Sequence, residues 1–227
     1  MKFLNKTIII KSTILSSVIV SASCTSIDTS KIAPGYKDTY LAMRNAIIGY
    51  PDTSIPAEVI NEIPYASMLI KIGKGPTGLI ILESKLGERY TWLSADEIYL
   101  VIENGKIIKT SGFKNNLIDT FQYSLPFSEI IKGEITQLQD FYSYDEPPLK
   151  NLSIDFKYKV LDKESIQILN INKDLLLVEE HGYNNELGWK FKNTYWLDED
   201  LVVWKSIQNV SPKLPPINYT LTKKPSI

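Results

Sequence analysis

Residues 99–110 read Tyr-Leu-Val-Ile-Glu-Asn-Gly-Lys-Ile-Ile-Lys-Thr. Two apolar runs flank Asn104-Gly105, and both of those residues tolerate the positive φ that a two-residue type I′ turn demands. The stretch therefore predicts a β-hairpin. Ile102 falls opposite Ile107, Val101 opposite Ile108 and Tyr99 opposite Thr110. Glu103 then faces Lys106 as a cross-strand ion pair.

The same reading extends in both directions. Ile154, Phe156, Tyr158 and Val160 alternate with Asp155, Lys157 and Lys159, the pattern of a strand with one wet face. Further strands are expected near 66–73, 77–84, 88–93, 165–171, 175–181, 189–197, 201–208 and 216–222. The links between them are short and polar: Gly73-Lys74-Gly75-Pro76, Leu86-Gly87, Asn172-Lys173-Asp174 and Asp198-Glu199-Asp200. Short links make consecutive strands antiparallel neighbours. Residues 113–150 are less regular, and Pro147-Pro148 cannot sit inside a central strand. That stretch is read as a connection between two β halves. The fold class is mainly β: an antiparallel meander forming a partial barrel or a two-layer sheet, since a long meander must protect its edges. One N-terminal helix is expected, because Tyr36, Tyr40, Met43, Ile47 and Tyr50 share a helical face, with Gly49 and Pro51 as the stop. A short helical turn can start at Pro56.

The amino terminus has the three-part logic of a signal peptide. Lys2, Lys6 and Lys11 precede the uncharged run Ser12–Val20, and Ser21-Ala22-Ser23-Cys24 closes it with small residues. The apolar run is shorter than the roughly 20 residues a membrane span needs. The domain scheme is thus 1–23 signal peptide, 24–33 tether and 34–227 a single β-rich domain. Ser21–Cys24 resembles a bacterial lipobox, with Ser21 where leucine is usual. The resemblance implies diacylglycerol and palmitate on Cys24, and Thr25 in place of aspartate implies the outer membrane. Several acyl chains anchor stably where one does not. A flexible tether of this length holds the domain within roughly 15–20 Å of the bilayer.

Composition narrows the function. The chain carries 25 Lys+Arg and 26 Asp+Glu; without the three signal-peptide lysines the balance is 22 against 26, or −4. A mildly acidic domain has no basic stripe with which to displace phosphate counterions, so nucleic acid is not an expected partner. With one Cys and one His in the whole chain, no internal disulfide and no Cys/His metal site can form. No metal or other cofactor is expected.

His181 is the sole histidine, so any Ser-His-Asp or Cys-His chemistry has to use it, and no Gly-x-Ser-x-Gly elbow accompanies it. It precedes the loop-like Gly182-Tyr183-Asn184-Asn185 and reads as a solvated loop histidine. Asp198-Glu199-Asp200 sits where a hairpin must turn and reads as a charged tip. No enzyme is expected. The aromatic residues are more informative: on strand 189–197, Trp196 shares parity with Lys190, Lys192 and Thr194, the polar face. An exposed indole there is a platform for a sugar ring or a partner, and Trp196, Trp204 and Trp92 are the candidate contacts. The apolar run Leu79-Ile80-Ile81-Leu82 suits an alternative role, a carrier of an apolar or lipid ligand.

Two sets of segments resemble the YjbF/GfcB family of bacterial lipoproteins. The first is Tyr65-Ala66-Ser67-Met68 through Thr91-Trp92-Leu93-Ser94 to the run Asn104–Gly112. The second is Asn193-Thr194-Tyr195-Trp196 through Val203-Trp204-Lys205-Ser206-Ile207-Gln208, closing with Pro212 and Lys224-Pro225. Asp200 and Phe113 depart from the family pattern at a turn and a packing position. The resemblance implies an outer-membrane, periplasm-facing lipoprotein acting as a non-enzymatic accessory in exopolysaccharide or group 4 capsule export. Its implied partners are the membrane, polysaccharide and other export-pathway proteins.

Overall fold

The structure is a computed structural model that describes residues 55–225 together with Ile48. The expected helix over 36–50, Cys24 and the tether lie outside the described residues. Among the described residues two short helices, α1 (Ala57–Glu62) and α2 (Phe127–Ile131), accompany a single sheet of 12 strands. In chain order these are β1 (Ser67–Ile72), β2 (Thr77–Leu86), β3 (Arg89–Ser94), β4 (Tyr99–Glu103), β5 (Lys106–Ser111) and β6 (Leu117–Thr120). Then come β7 (Gln137–Tyr144), β8 (Leu149–Ile168), β9 (Ile171–Asn184), β10 (Trp189–Leu197), β11 (Val203–Gln208) and β12 (Ile217–Lys223). No described helix is long and apolar enough to cross a membrane.

Every strand pair is antiparallel, and neighbours in space are neighbours in sequence with one exception: β1 also pairs with β12. The meander therefore closes on itself there, and its free edges are β5 and β6. Those edges lie side by side without a backbone ladder. The Leu117 N–H donates to Thr110 Oγ1 at 3.0 Å, and Lys106 Nζ donates to Gln122 O at 2.7 Å. The result is a nearly closed, barrel-like sheet. Side chains lace its one unladdered seam, which protects edges that would otherwise template aggregation.

The interior is filled, not hollow, along much of its length. The β4–β5 turn crosses to the opposite wall. Gly105 O accepts from Gln208 Nε2 at 2.8 Å and from Tyr219 Oη at 2.9 Å. A Cβ on Gly105 would fall 2.2 Å from Val203 Cγ2, and its φ is 78°. Only glycine suits both the turn and the contact. The α2 helix lies in the connection from β6 to β7 and sets Phe127 edge-on to Tyr195 at 5.4 Å.

The hairpin at Asn104-Gly105 forms with positive φ at both residues. Glu103 pairs with Lys106 and Ile102 with Ile107, as expected, but a bulge follows. Val101 then faces Lys109 and Tyr99 faces Ser111, so the register beyond the bulge differs from the one read in the sequence. The expected Glu103–Lys106 ion pair does not form. Arg89 Nε holds Glu103 at 2.8 Å, while Lys106 turns inward to Asp140. Residues 113–150 are not a plain connection, because β6, α2 and β7 lie within them. Asn172-Lys173-Asp174 is not a turn: Ile168 pairs with Ile171, so the chain reverses at Leu169-Asn170. The Asp198 turn is wider than expected. Leu197 pairs with Val203 and Trp196 with Lys205, because Asp198 Oδ1 gathers the N–H groups of Asp200 and Val202 into a loop.

Candidate functional site

The three candidate tryptophans are all buried, and Trp196, which strand parity put on the polar face, is not an exposed platform. Trp196 Nε1 donates to Glu164 Oε2 at 2.8 Å, and Lys205 Nζ lies 4.8 Å from its ring centroid. Trp204 Nε1 donates to Asp198 Oδ2 at 2.7 Å, with Lys173 and Lys224 over its ring at 3.9 and 4.9 Å. Parity had put Trp196 on the side that bears Lys190 and Lys192. It could not show that lysine stems lie across the indoles, their ammonium groups drawn to the rings.

Trp92 has a different setting. It lines a cavity of about 690 Å³ whose walls include Met68, Ile102, Val203 and Leu221. Glu88, Asp200 and Lys224 supply charge around it. The volume falls within the range of small-molecule sites. Trp92 Nε1 is buried and has no hydrogen-bond partner among the described residues. Such an orphan donor is uncommon in a folded domain and calls for an explanation. Segments separated in sequence meet here: Trp92, the Asn104-Gly105 turn, Val203 and Lys224-Pro225. All of them belong to the stretches that carried the family resemblance.

The buried Lys106, Asp140 and Glu180 each find partners inside the barrel. Lys106 Nζ and Asp140 Oδ2 form an ion pair at 2.5 Å with both side chains out of solvent. Asp140 Oδ1 accepts the N–H groups of Phe121, Gln122 and Phe141. Glu180 is fully buried and accepts from Asn193 Nδ2 at 2.7 Å, Tyr195 Oη at 3.0 Å and Tyr158 Oη at 3.2 Å. Burial pushes the Glu180 carboxyl up, against the opposing pull of Lys106 and of its three donors. Burial, with Glu180 beside them, raises both Tyr158 and Tyr195 as well.

His181 lies within β9, not in a loop, on an exposed face where its Nε2 sits 3.0 Å from Glu179 Oε2. Lys192 holds Glu179 at 2.6 Å, and that bond first, with His181, keeps the carboxyl below its ordinary value. Asp198 is a turn-former, as expected of a charged tip. Partial burial alone would raise it, but Trp204, the Val202 N–H and Lys224 outweigh burial and hold it low. Among the described residues, no group of three or more His, Cys, Asp or Glu side chains converges as a metal site requires.

Sequence reasoning missed a second concave surface altogether. On the outer face a groove of about 320 Å³ is lined by Phe121, Tyr123 and Phe141 together with Asp119, Ser143 and Asn151. Apart from Asn151, it arises within the stretch read as a connection. The signal that could have found it is the aromatic recurrence Phe121, Tyr123, Phe141.

A nearly closed antiparallel meander with a side-chain-filled interior defines a class, the barrel-like β domains. Within that class the chain belongs to the family described as Group 4 capsule polysaccharide lipoprotein GfcB/YjbF, whose sequence model matches residues 40–221. It is 23% identical over 206 residues to the "Uncharacterized lipoprotein GfcB" of Escherichia coli K12, covering 89% of this chain and 92% of that protein. It is 21% identical over 184 residues to the "Uncharacterized lipoprotein YjbF" of the same organism, covering 79% and 85%. The crystal structure of the hypothetical lipoprotein YmcC from Escherichia coli K12 superposes with a TM-score of 0.65 at 18% identity, over 82% of this chain and 96% of that one. That likeness shows the fold.

Proposed function

We propose that this chain is an outer-membrane lipoprotein, anchored through lipid on Cys24 with its domain in the periplasm. There it serves as a non-enzymatic accessory in the assembly or export of capsule or exopolysaccharide. The observation that carries this reading is the family match across residues 40–221. The geometry supports a role in holding rather than reacting. Asp140 and Glu180 are saturated by internal donors, and His181 is exposed on an outer face.

The test is genetic. Deleting the gene while keeping its neighbours should lower surface polysaccharide, and wild-type levels in the deletion would overturn the reading. A Cys24→Ala chain should lose labelling by radioactive palmitate and leave the outer-membrane fraction.

One observation favours a second reading, a carrier of an apolar ligand: the 690 Å³ cavity with its unpartnered Trp92 N–H. A ligand with an apolar body and one acceptor oxygen would fit that chemistry. Native mass spectrometry of the purified chain should then show a co-purified lipid, and a clean apo mass would count against it.

A further inference from the structure

Strand β7 places Asp140 and Phe141 on opposite faces, as successive strand residues must be. Asp140 is 0% exposed, whereas Phe141 is 36% and Phe121 70% exposed. Exposed phenylalanines seldom cluster without a reason, and clustered aromatic surface marks interaction sites. Phe121 is not a loose loop residue. Its N–H donates both to Phe141 O at 3.1 Å and to Asp140 Oδ1 at 3.0 Å, so the backbone is pinned while the ring stays out. The rings of Phe121 and Phe141 stand at 90° with centroids 6.3 Å apart, forming a corner. Tyr123 is oriented from two sides, by Arg89 4.3 Å from its ring centroid and by Asp119 accepting from its hydroxyl at 3.3 Å.

Polar groups with spare capacity alternate with these rings. Asp119 accepts only the Tyr123 hydroxyl among the described residues, which leaves most of its lone pairs free. Ser143 Oγ accepts the Asn151 N–H at 3.1 Å and keeps its own O–H to donate. The Asn151 side-chain amide makes no hydrogen bond among the described residues. The residues lining the groove divide almost evenly, three aromatic against four polar, whereas apolar residues dominate the lining of the Trp92 cavity.

That even split discriminates among occupants. An acyl chain would prefer the apolar cavity. A stable protein partner needs about 800 Å² on each side, far more than this groove offers. A sugar ring is itself divided, with C–H faces that stack on aromatic rings and a rim of hydroxyls that both donate and accept. We propose that the groove formed by Phe121, Tyr123 and Phe141 with Asp119, Ser143 and Asn151 is a glycan-binding subsite that takes a short stretch of polysaccharide chain. This deepens the capsule-export reading and rests on it for the source of the glycan.

The test is a titration of the detergent-purified full chain with oligosaccharides cut from the surface polysaccharide of the encoding bacterium, read by saturation-transfer NMR. The wild type should bind. Phe121→Ala and Phe141→Ala should each weaken binding at least tenfold, and Asn151→Ala several-fold. Ile171→Ser, at the distant exposed β8–β9 turn, should bind as the wild type does. Matching melting curves confirm that the variants fold. No binding by the wild type, or undiminished binding by the Phe121→Ala/Phe141→Ala double variant, overturns the subsite. So does a groove that retains a pathway protein but no sugar. In cells the two readings separate. If deletion lowers surface polysaccharide and the double variant restores it fully, the subsite fails and the pathway role stands. If deletion changes nothing, the pathway role fails, and the titration alone still decides the subsite.

Discussion

Asp140 and Phe141 are adjacent, and each sits where composition alone would put the other. The carboxylate is buried in the barrel and the phenyl ring faces water. The inner region built on Asp140 and the outer region built on Phe141 use the same kinds of side chain: Tyr, Asp, Asn and aromatic rings. They differ in where their hydrogen bonds go. Inside, Asp140 and Glu180 are saturated by Lys106, Asn193, two tyrosines and three backbone N–H groups. Outside, Asp119 and Asn151 hold most of their capacity in reserve. Saturated groups hold a fold together, whereas unsaturated ones are available to something else.

The inner region also explains how a sheet with two free edges stays shut. Lys106 begins β5 and Asp140 lies on β7, so their ion pair spans the seam that β6 fails to ladder. A buried pair of this kind is worth little relative to a well-packed apolar replacement, but breaking one partner is costly.

The comparison can be broken in stages, starting with the largest effect. Asp140→Ala should cost about 3–5 kcal/mol of unfolding free energy, because it strands a buried ammonium and three N–H groups. Lys106→Met/Asp140→Leu should recover much of that loss, and urea titrations of both chains would show it. A mild single variant would mean the seam is held by something else.

Next, Gly105→Ala should cost about 2 kcal/mol, since the added methyl meets Val203 at a positive φ. The same urea titration measures it.

A smaller effect concerns pH. The folded-state value of Glu180 is raised by burial, so folding binds a proton there. Its contribution is fully present below the ordinary carboxylate value and fades as pH rises through the raised one. Glu179 and Asp198 act in the opposite sense, being held low, so their contributions fade as pH falls below the ordinary carboxylate range. Both are partly open to solvent, and their effects are correspondingly screened. Melting temperature followed against pH should therefore decline more steeply above that range in the wild type than in Glu180→Gln.

The smallest stability effect belongs to the groove. Phe121→Ser should shift unfolding by less than about 0.5 kcal/mol, as exposed substitutions do. A larger shift would show that the outer ring is structural and would erase the contrast between the two regions.

Much of the fold was legible in one pass along the chain. The Asn104-Gly105 turn, the Gly73–Pro76 turn, the Asp198 turn and the strand 189–197 all fall where local chemistry put them, because turn residues and period-two alternation are local properties. What failed did so for definable reasons. Strand β7 was hidden because Asp140 points inward and Phe141 outward, which breaks the apolar alternation at its centre. Asn172–Asp174 imitated a turn because polar residues also suit the exposed part of a long hairpin. The partner of Lys106 could not be read at all. Its cross-strand neighbour Glu103 was the natural choice, and only the third dimension offered Arg89 to one and Asp140 to the other.

The sequence by itself determined a mainly antiparallel β chain, its family and most of its turns, because each depends on residues near one another along the backbone. Tertiary structure alone decided that β1 closes on β12, that the indoles of Trp196 and Trp204 lie beneath lysines, and that Phe121 and Phe141 meet as an open corner. Those outcomes depend on which distant strands come together and on which side of the sheet is left wet, and no local pattern encodes either.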